Sequence, residues 1–393
     1  FNRTGARQSI RDAARALGHE FIDGDLIAKL VPPPVLGISK ELKECMEVEE
    51  FKNAYFKNDK SKEIIDAAFG LEGIVRQTGI HAAGVVISRD ALINYLPVMQ
   101  KGVDNPIVTQ WDMNRVEQCG LLKIDFLGLR NLGVIDSCIK LIKQHRGLDV
   151  DLEEIPLDDP ITFNELCKGN SVGVFQLESS GMRNMMLSIQ PKSIEDIMAL
   201  ISLYRPGPMG SGMDRQYIER KNGRSKIKYD HPKLESVLNS SLGIMLYQED
   251  VLAVAREVAG FSSAEADDLR KVIGKKQMEK IPKIRAKFVE GCQSYSGIPA
   301  SIGNKIFSDI EYFGGYGFNR AHAASYAMVS YATAYLKSNY TTEYMAALMS
   351  SVVGNKDKLS FYLADCRKLG IKVFPPSINY SGVDFQVLKN DSI

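Results

Sequence analysis

Residues 314–326 read GGYGFNRAHAASY, and this phrase limits the local fold more than any other in the chain. Its three glycines permit positive φ and close backbone approach. Asn319 then stands where a helix N-cap is expected, ahead of a run of small residues. The first turn of a helix carries unpaired N–H groups and the positive end of the dipole. A glycine-rich turn feeding one therefore has the build of an anion or phosphate site. Ordinary turn chemistry is the competing reading of the same glycines. Further along, His322, Tyr326 and Ser330 recur every four residues and share one helical face. That face suits a stacked nucleotide base, or equally the cap of an alanine-rich core helix.

At 393 residues the chain is long enough for two or three structural units. Apolar and charged contents of 45% and 25% describe an ordinary globular protein. A net charge of +1 gives no global pull toward nucleic acid or membrane, so any polyanion binding must come from local patches. The six cysteines (45, 119, 138, 167, 292 and 366) include no Cys-x-x-Cys pair, which excludes the usual zinc spacing and points to a reducing compartment. No run of eighteen apolar residues suggests a membrane span, and no charged-then-apolar leader opens the chain. Phe1 and the strand-like phrase DFQVLKNDSI at the other end suggest a piece of a longer polypeptide.

The spacing of apolar residues predicts helices over 3–17 and 24–30, the second stopped by Pro32, Pro33 and Pro34. Residues 39–69 are charge-rich with a helical period and read as two exposed helices. Three short strands are expected at 81–88, 107–111 and 121–127, and helices dominate after about 131. Cuts near 80 and 130 follow. The phrase GVFQLESSGMR (173–183) reads as strand, turn and helix start, with Ser179 or Ser180 as N-cap. In YRPGP (204–208) the prolines hold Arg205 in an extended turn.

In LLKIDFL (121–127), period-two alternation sets Lys123 and Asp125 on the face opposite Leu122, Ile124 and Phe126. Aspartate is disfavoured in strands, and a buried carboxylate needs a partner or a metal. Two readings stand: a same-face ion pair, or a carboxylate that grips a divalent cation beside a phosphate held by Lys123. Asp23-x-Asp25 and Asp149-x-Asp151 resemble loop or cap carboxylates, so a metal site on Asp125 alone is incomplete. Residues 270–287 hold eight basic residues against one acid, Glu279. Arg220, Lys221, Arg224, Lys226 and Lys228 form a second basic cluster. Each is either a solvated surface or a polyanion contact.

Six phrases in order carry a family resemblance: KIDFLGLRNL (123–132), VFQLESSGMR (174–183), LYRPGPMGSGM (203–213), MLYQEDV (245–251), LRKVIGKK (269–276) and GYGFNRAHAASYA (315–327). Together they resemble the alpha subunits of bacterial DNA polymerase III, the C-family replicative polymerases. HAAGVVIS (81–88) is closer to the DnaE type than to the PolC type. The resemblance implies a mixed α/β, predominantly helical fold, with a thumb at 1–80, part of a polymerase-beta-like nucleotidyltransferase palm at 81–130, and large helical fingers at 131–393. It implies that Asp125 is the third catalytic aspartate and a metal ligand, and that Lys123 lies by the incoming triphosphate. Arg270 and Lys271 are implied to hold phosphates, and Arg205, Lys275, Asn319 and His322 to contact nucleotide.

The same resemblance implies two Mg²⁺ ions in the complete site, primer–template DNA and dNTP as partners, and a bacterial cytoplasmic, nucleoid-associated location. A sliding clamp and other replisome subunits would be met through regions outside this chain. The family's other two catalytic aspartates, in a Pro-Asp-x-Asp motif, are expected upstream of residue 1. The chain alone is therefore expected to be inactive. The rival classes are a non-catalytic nucleic-acid-binding module and a metabolic phosphotransferase using the glycine-rich turn.

Overall fold

Small side chains decide how the first helices meet. The structure, a computed structural model, describes residues 2–32, 40–100, 105–274, 277–314, 317–379 and 381–393. It divides into two units, residues 1–128 and 129–393. In the first, strand β1 (Asn2–Arg3) leads into helix α1 (Ala6–Ala16), whose Ile10, Ala13 and Ala14 are buried. Helix α2 (Phe21–Lys29) lies so close that a Cβ added to Gly24 would stand 2.7 Å from that of Ala14. Asp25 of α2 is claimed by Arg11 and Lys29 and is a helix-packing carboxylate.

Helices α3 (Leu42–Cys45), α4 (Glu49–Lys57) and α5 (Asp59–Leu71) complete this bundle. Asn58 separates the last two by accepting the Ser61 N–H at 2.8 Å as N-cap. The stretch expected as two solvated helices is thus three where described. Phe51, Ile64, Ile65 and Ala68 are turned fully inward, and the charges keep to the outer face.

Short strands follow: β2 (Val75–Gln77), β3 (Gly84–Ile87), β4 (Val98–Met99) and β5 (Val108–Thr109), then helix α6 (Met113–Gln118) and β6 (Leu122–Asp125). They pair antiparallel as three two-stranded ribbons, β1–β2, β3–β6 and β4–β5. Leu96, Val116 and Leu121 form a small apolar cluster beside them, with Trp111 packed against it.

The second unit is predominantly helical in the described residues, and its last helix is followed by an irregular tail, residues 371–379 and 381–393. Helices α7 (Arg130–Arg146), α8 (Pro160–Cys167), α9 (Ser180–Ile189) and α10 (Ile194–Leu203) come first. Next are α11 (Pro206–Ser211), α12 (Met213–Lys221), α13 (Glu235–Leu238), α14 (Gln248–Ala259) and α15 (Ser263–Gly274). The remainder are α16 (Ile281–Ser296), α17 (Ala300–Phe313), α18 (Arg320–Asn339), α19 (Thr341–Ser350) and α20 (Lys356–Lys368). One continuous core joins them, with α18 as its spine. Its buried Ala323, Ala327 and Ala334 let neighbouring helices approach. Buried Tyr331 donates to the carbonyl of Pro156 and accepts from the N–H of Asp159, fixing the preceding turn.

Two local expectations change. Residues 173–177 form turns rather than a strand, because Gly173 (φ 75°) and Gln176 (φ 58°) both lie in the left-handed region. Ser179, not Ser180, caps α9. Arg205 is extended as expected, but the prolines after it open a short helix, a position that suits their fixed φ. The six cysteines are free thiols. Among the described residues no helix is long and apolar enough to cross a membrane.

A buried ion pair locks α7 to α19. Glu343 is fully buried and accepts from Arg146 Nε at 2.6 Å and Nη2 at 3.1 Å, with His145 Nδ1 at 2.6 Å. Burial would push this carboxyl up, but Arg146 and His145 outweigh it and hold it below the usual glutamate range. Its contribution to stability is therefore present above the unfolded glutamate pKa and is lost as pH falls through the lower folded value. Glu343→Ala removes the buried acceptor of the partly exposed Arg146 and of His145 and is expected to cost about 1–3 kcal/mol in urea unfolding at neutral pH.

Candidate functional site

The residues singled out from the sequence fall into two groups, one in each unit. The first sits on the β3–β6 ribbon. Its register pairs Gly84 with Asp125, Val85 with Ile124, Val86 with Lys123 and Ile87 with Leu122. Directly opposed residues share a face, so Asp125 and Lys123 rise from one side while Val85, Ile87, Leu122 and Ile124 occupy the other.

Lys123 Nζ donates to Asp125 Oδ1 at 2.6 Å, and His81 Nδ1 lies 3.8 Å from the same oxygen. A Cβ on Gly84 would meet Lys123 Cε at 2.8 Å, His81 Nδ1 at 3.0 Å and Asp125 Oδ1 at 3.1 Å. Glycine at 84 is what leaves room for the cluster. The Lys123 hydrogen bond holds the Asp125 carboxyl below the usual aspartate range, against a smaller desolvation effect. Asp125 is half exposed, and its flanking Leu122 and Phe126 are exposed too. It does not bear the burial cost that its apolar neighbours suggested. Its Oδ2 has no hydrogen bond among the described residues.

The second group gathers around a backbone bridge. The Phe318 N–H donates to the Leu246 carbonyl at 3.2 Å, and the Gln248 N–H donates to the Phe318 carbonyl at 2.9 Å. Asp250 Oδ2 braces this bridge by accepting the N–H groups of Leu246 and Tyr247 at 2.8 and 2.9 Å. Around it, Arg205 lays its guanidinium over the Phe318 ring, 3.8 Å from the centroid. Rings continue the strip: Phe318 to His322 at 5.4 Å, His322 to Tyr326 at 4.1 Å and Tyr326 to Phe175 at 5.4 Å. Arg270 joins from α15 through a 3.4 Å contact of Nη1 with Gln248 Oε1.

The fold thus brings Arg205, Arg270, Asn319 and His322 together. Lys271 is adjacent, with its ammonium on Asp267 at 2.7 Å. Arg270 bonds the same carboxylate at 2.8 and 3.0 Å. Lys275 lies outside the described residues. The glycine-rich turn passes close to α15 because residue 314 has no side chain: a Cβ there would be 1.9 Å from Ile273 Cγ2. The cavity among the described residues at this junction is about 40 Å³, room for a water rather than a nucleotide.

Asn319 caps α18 as expected, accepting the His322 N–H at 2.8 Å. The anion at this helix start is an internal one. Glu249 accepts from Asn319 Nδ2 at 3.0 Å and from the Arg320 N–H at 2.9 Å. The second basic cluster is partly structural, since Arg220 donates to the Leu242 carbonyl and Lys221 pairs with Asp196.

With this geometry in place, two family models account for most of the chain. Residues 1–128 match the bacterial DNA polymerase III alpha NTPase domain, and residues 131–296 match the bacterial DNA polymerase III alpha subunit finger domain. The chain belongs to the bacterial DNA polymerase III alpha subunit family. It is 42% identical over 405 residues to DNA polymerase III subunit alpha of Mycobacterium tuberculosis, covering 100% of this chain and 34% of that protein. The subunit alpha of Thermus aquaticus is 41% identical over 394 residues, covering 99% and 32%, and that of Escherichia coli K12 is 40% identical over 397 residues, covering 98% and 34%. The chain therefore spans about a third of the length of these curated relatives.

Several members of this cluster do not stand out in the sequence. Gln248, Glu249 and Asp250 lay inside MLYQEDV, which was noticed as a phrase but not resolved into roles. Asp267 could have been found, because it stands three and four residues before Arg270 and Lys271 on one helix. Burial pushes the Asp250 carboxyl up to about 6, against its two N–H bonds. A raised folded pKa favours the fold below the unfolded value, and that advantage is lost as pH rises through about 6. Asp250→Asn should therefore remove up to about 3 kcal/mol of pH-dependence between pH 4 and 6, read from denaturant midpoints across that range.

Proposed function

We propose that this chain supplies one catalytic carboxylate and a nucleotide-binding wall to a replicative DNA-directed DNA polymerase. The proposed reaction is attack of a primer 3′-hydroxyl on the α-phosphorus of a dNTP, with pyrophosphate as leaving group. Family membership supports the class of enzyme. The observation that carries the reading is the convergence of Arg205, Arg270, Asn319 and His322 on one strip of rings.

On that strip each side chain has a distinct task. Arg205 has no carboxylate partner among the described residues, so it can meet a phosphate or lie against a base while resting on Phe318. Burial pulls its pKa down somewhat, in keeping with a guanidinium held against a ring. Arg270 and Lys271 must exchange Asp267 for triphosphate oxygens, which they can do because all three are partly exposed. The His322 and Tyr326 rings offer a stacking surface.

Asp125 fits a hard divalent cation: it is half exposed, ionised and free at Oδ2. It would hold Mg²⁺, which when bound supplies charge neutralisation at the reacting phosphates. Lys123 then orients the carboxylate through Oδ1 and sets a positive charge beside the triphosphate. Within the ribbon Asp125 is the sole carboxylate, whereas a two-ion site needs more, so we propose that the chain alone is inactive. Residues 1–80 are proposed as a thumb that grips duplex backbone without sequence preference, 81–130 as part of a palm related to polymerase beta, and 131–393 as fingers. Primer–template DNA and dNTP are the proposed partners; the sliding clamp and other replisome subunits are proposed to meet regions outside this chain.

A second reading has a specific observation behind it. The 2.6 Å Lys123–Asp125 contact is what a purely structural pair would show, in a module that only holds nucleic acid. Asp125→Asn in the full-length polymerase separates the two. The enzyme reading expects primer extension to fall by about 10²–10³-fold or more, with DNA binding by fluorescence anisotropy nearly unchanged. Near-normal extension defeats it. Arg270→Ala is expected to raise the apparent KM for dNTP by about tenfold, equivalent to 1.4 kcal/mol. An unchanged KM with weakened DNA binding moves Arg270 to the template.

A further inference from the structure

The last residues of the chain begin a sheet. Leu388 donates to the Ser392 carbonyl at 2.8 Å, and Asp391 donates to the Leu388 carbonyl at 3.0 Å. Asp391 has a φ of 57°, so Lys389, Asn390 and Asp391 form a three-residue hairpin loop with its last member left-handed. On the opposite side the Ile393 N–H donates to the Lys372 carbonyl at 2.9 Å, and the Ile393 carbonyl accepts from the Phe374 N–H at 2.8 Å. That pattern is a parallel rung with Val373. Ile393 is thus inserted, buried, between the backbone of 372–374 and that of the hairpin's first arm.

Ahead of Ile393 the two walls continue without a filling. Phe374, Pro375 and Pro376 stand on one side and Val383, Phe385 and Leu388 on the other, around an apolar groove of about 690 Å³. Val383 is 99% exposed and Phe374 51%. Among the described residues the Gln386 N–H and carbonyl and the Phe374 carbonyl have no hydrogen-bond partner. These are the groups that the next rungs of such a sheet would use.

We propose that this groove is the berth of an extended polypeptide strand running on from Ile393, the middle strand of three. The hairpin register has the first residue of that strand exchange both main-chain bonds with Gln386. The parallel register has the second donate to the Phe374 carbonyl. Pro375 and Pro376 have no N–H, so the ladder on that side stops there and apolar side chains fill the rest. The curated relatives are about three times the length that this chain matches, which leaves ample polypeptide for such a strand. A second copy of the chain, or a free apolar ligand, would lack the in-line connection that both registers share at Ile393.

The test appends Thr-Val-Thr-Val-Thr directly after Ile393, with Gly-Pro-Gly-Pro-Gly as the control extension. Amide exchange at Gln386 and binding of 1-anilinonaphthalene-8-sulfonate are compared across the 393-residue chain and both extended forms. The proposal expects the strand-forming extension alone to slow Gln386 exchange by about tenfold or more and to abolish dye binding. Equal exchange in all three forms with dye retained overturns it. Gln386 protection in the 393-residue chain that disappears on dilution, alongside a dimer in sedimentation, also overturns it and gives the groove to a second copy.

Discussion

Two main-chain hydrogen bonds, joining residues 246–248 to Phe318, hold the proposed nucleotide wall together. Through them segments seventy residues apart become neighbours. Gln248 then meets Arg270, Glu249 meets Asn319 and the start of α18, and Phe318 is set between Arg205 and His322. Asp250 is the brace that makes the bridge stiff, since it ties both N–H groups just before α14. A buried carboxylate in that role is expensive, and its raised pKa measures the cost.

The wall is also electrostatically satisfied before any nucleotide arrives. Asp267 occupies Arg270 and Lys271, and Glu249 occupies the first turn of α18. An anion bound by Arg270 or Lys271 would therefore gain less than the raw number of cations suggests, because each contact would displace one with Asp267. Half-exposed pairs of this kind contribute modestly and exchange readily. Arg205 differs in that it rests on a ring rather than on a carboxylate. It can gain a charged partner without losing one.

Much of this was legible in the residues. Period-two alternation placed Lys123 and Asp125 on one face, and the ribbon register confirms that geometry. The N-caps Asn319 and Ser179 were readable because a short polar side chain before a helix has few other uses. What escaped was set by distant contacts. Glu249 on the α18 terminus and the stacking of Phe175 on Tyr326 join residues 70 to about 150 positions apart, and no local spacing encodes them; the Asp250 brace, by contrast, reaches back only three and four residues. The strand expected at 173–177 failed because Gln176 adopts a left-handed φ that its residue type does not announce. The charge-rich 39–69 segment misled through composition, since four buried side chains, Phe51, Ile64, Ile65 and Ala68, suffice to pack α4 and α5.

The ribbon that carries Asp125 has two strands, four rungs and an apolar face left open at Val85, Ile87 and Leu122. Such a ribbon is marginally stable on its own terms. The α1–α5 bundle, with its closed core, is not. On warming, the two should part company: the Lys123–Asp125 arrangement melts out locally while helical signal persists. Circular dichroism would then be a poor guide to whether the carboxylate is still in place.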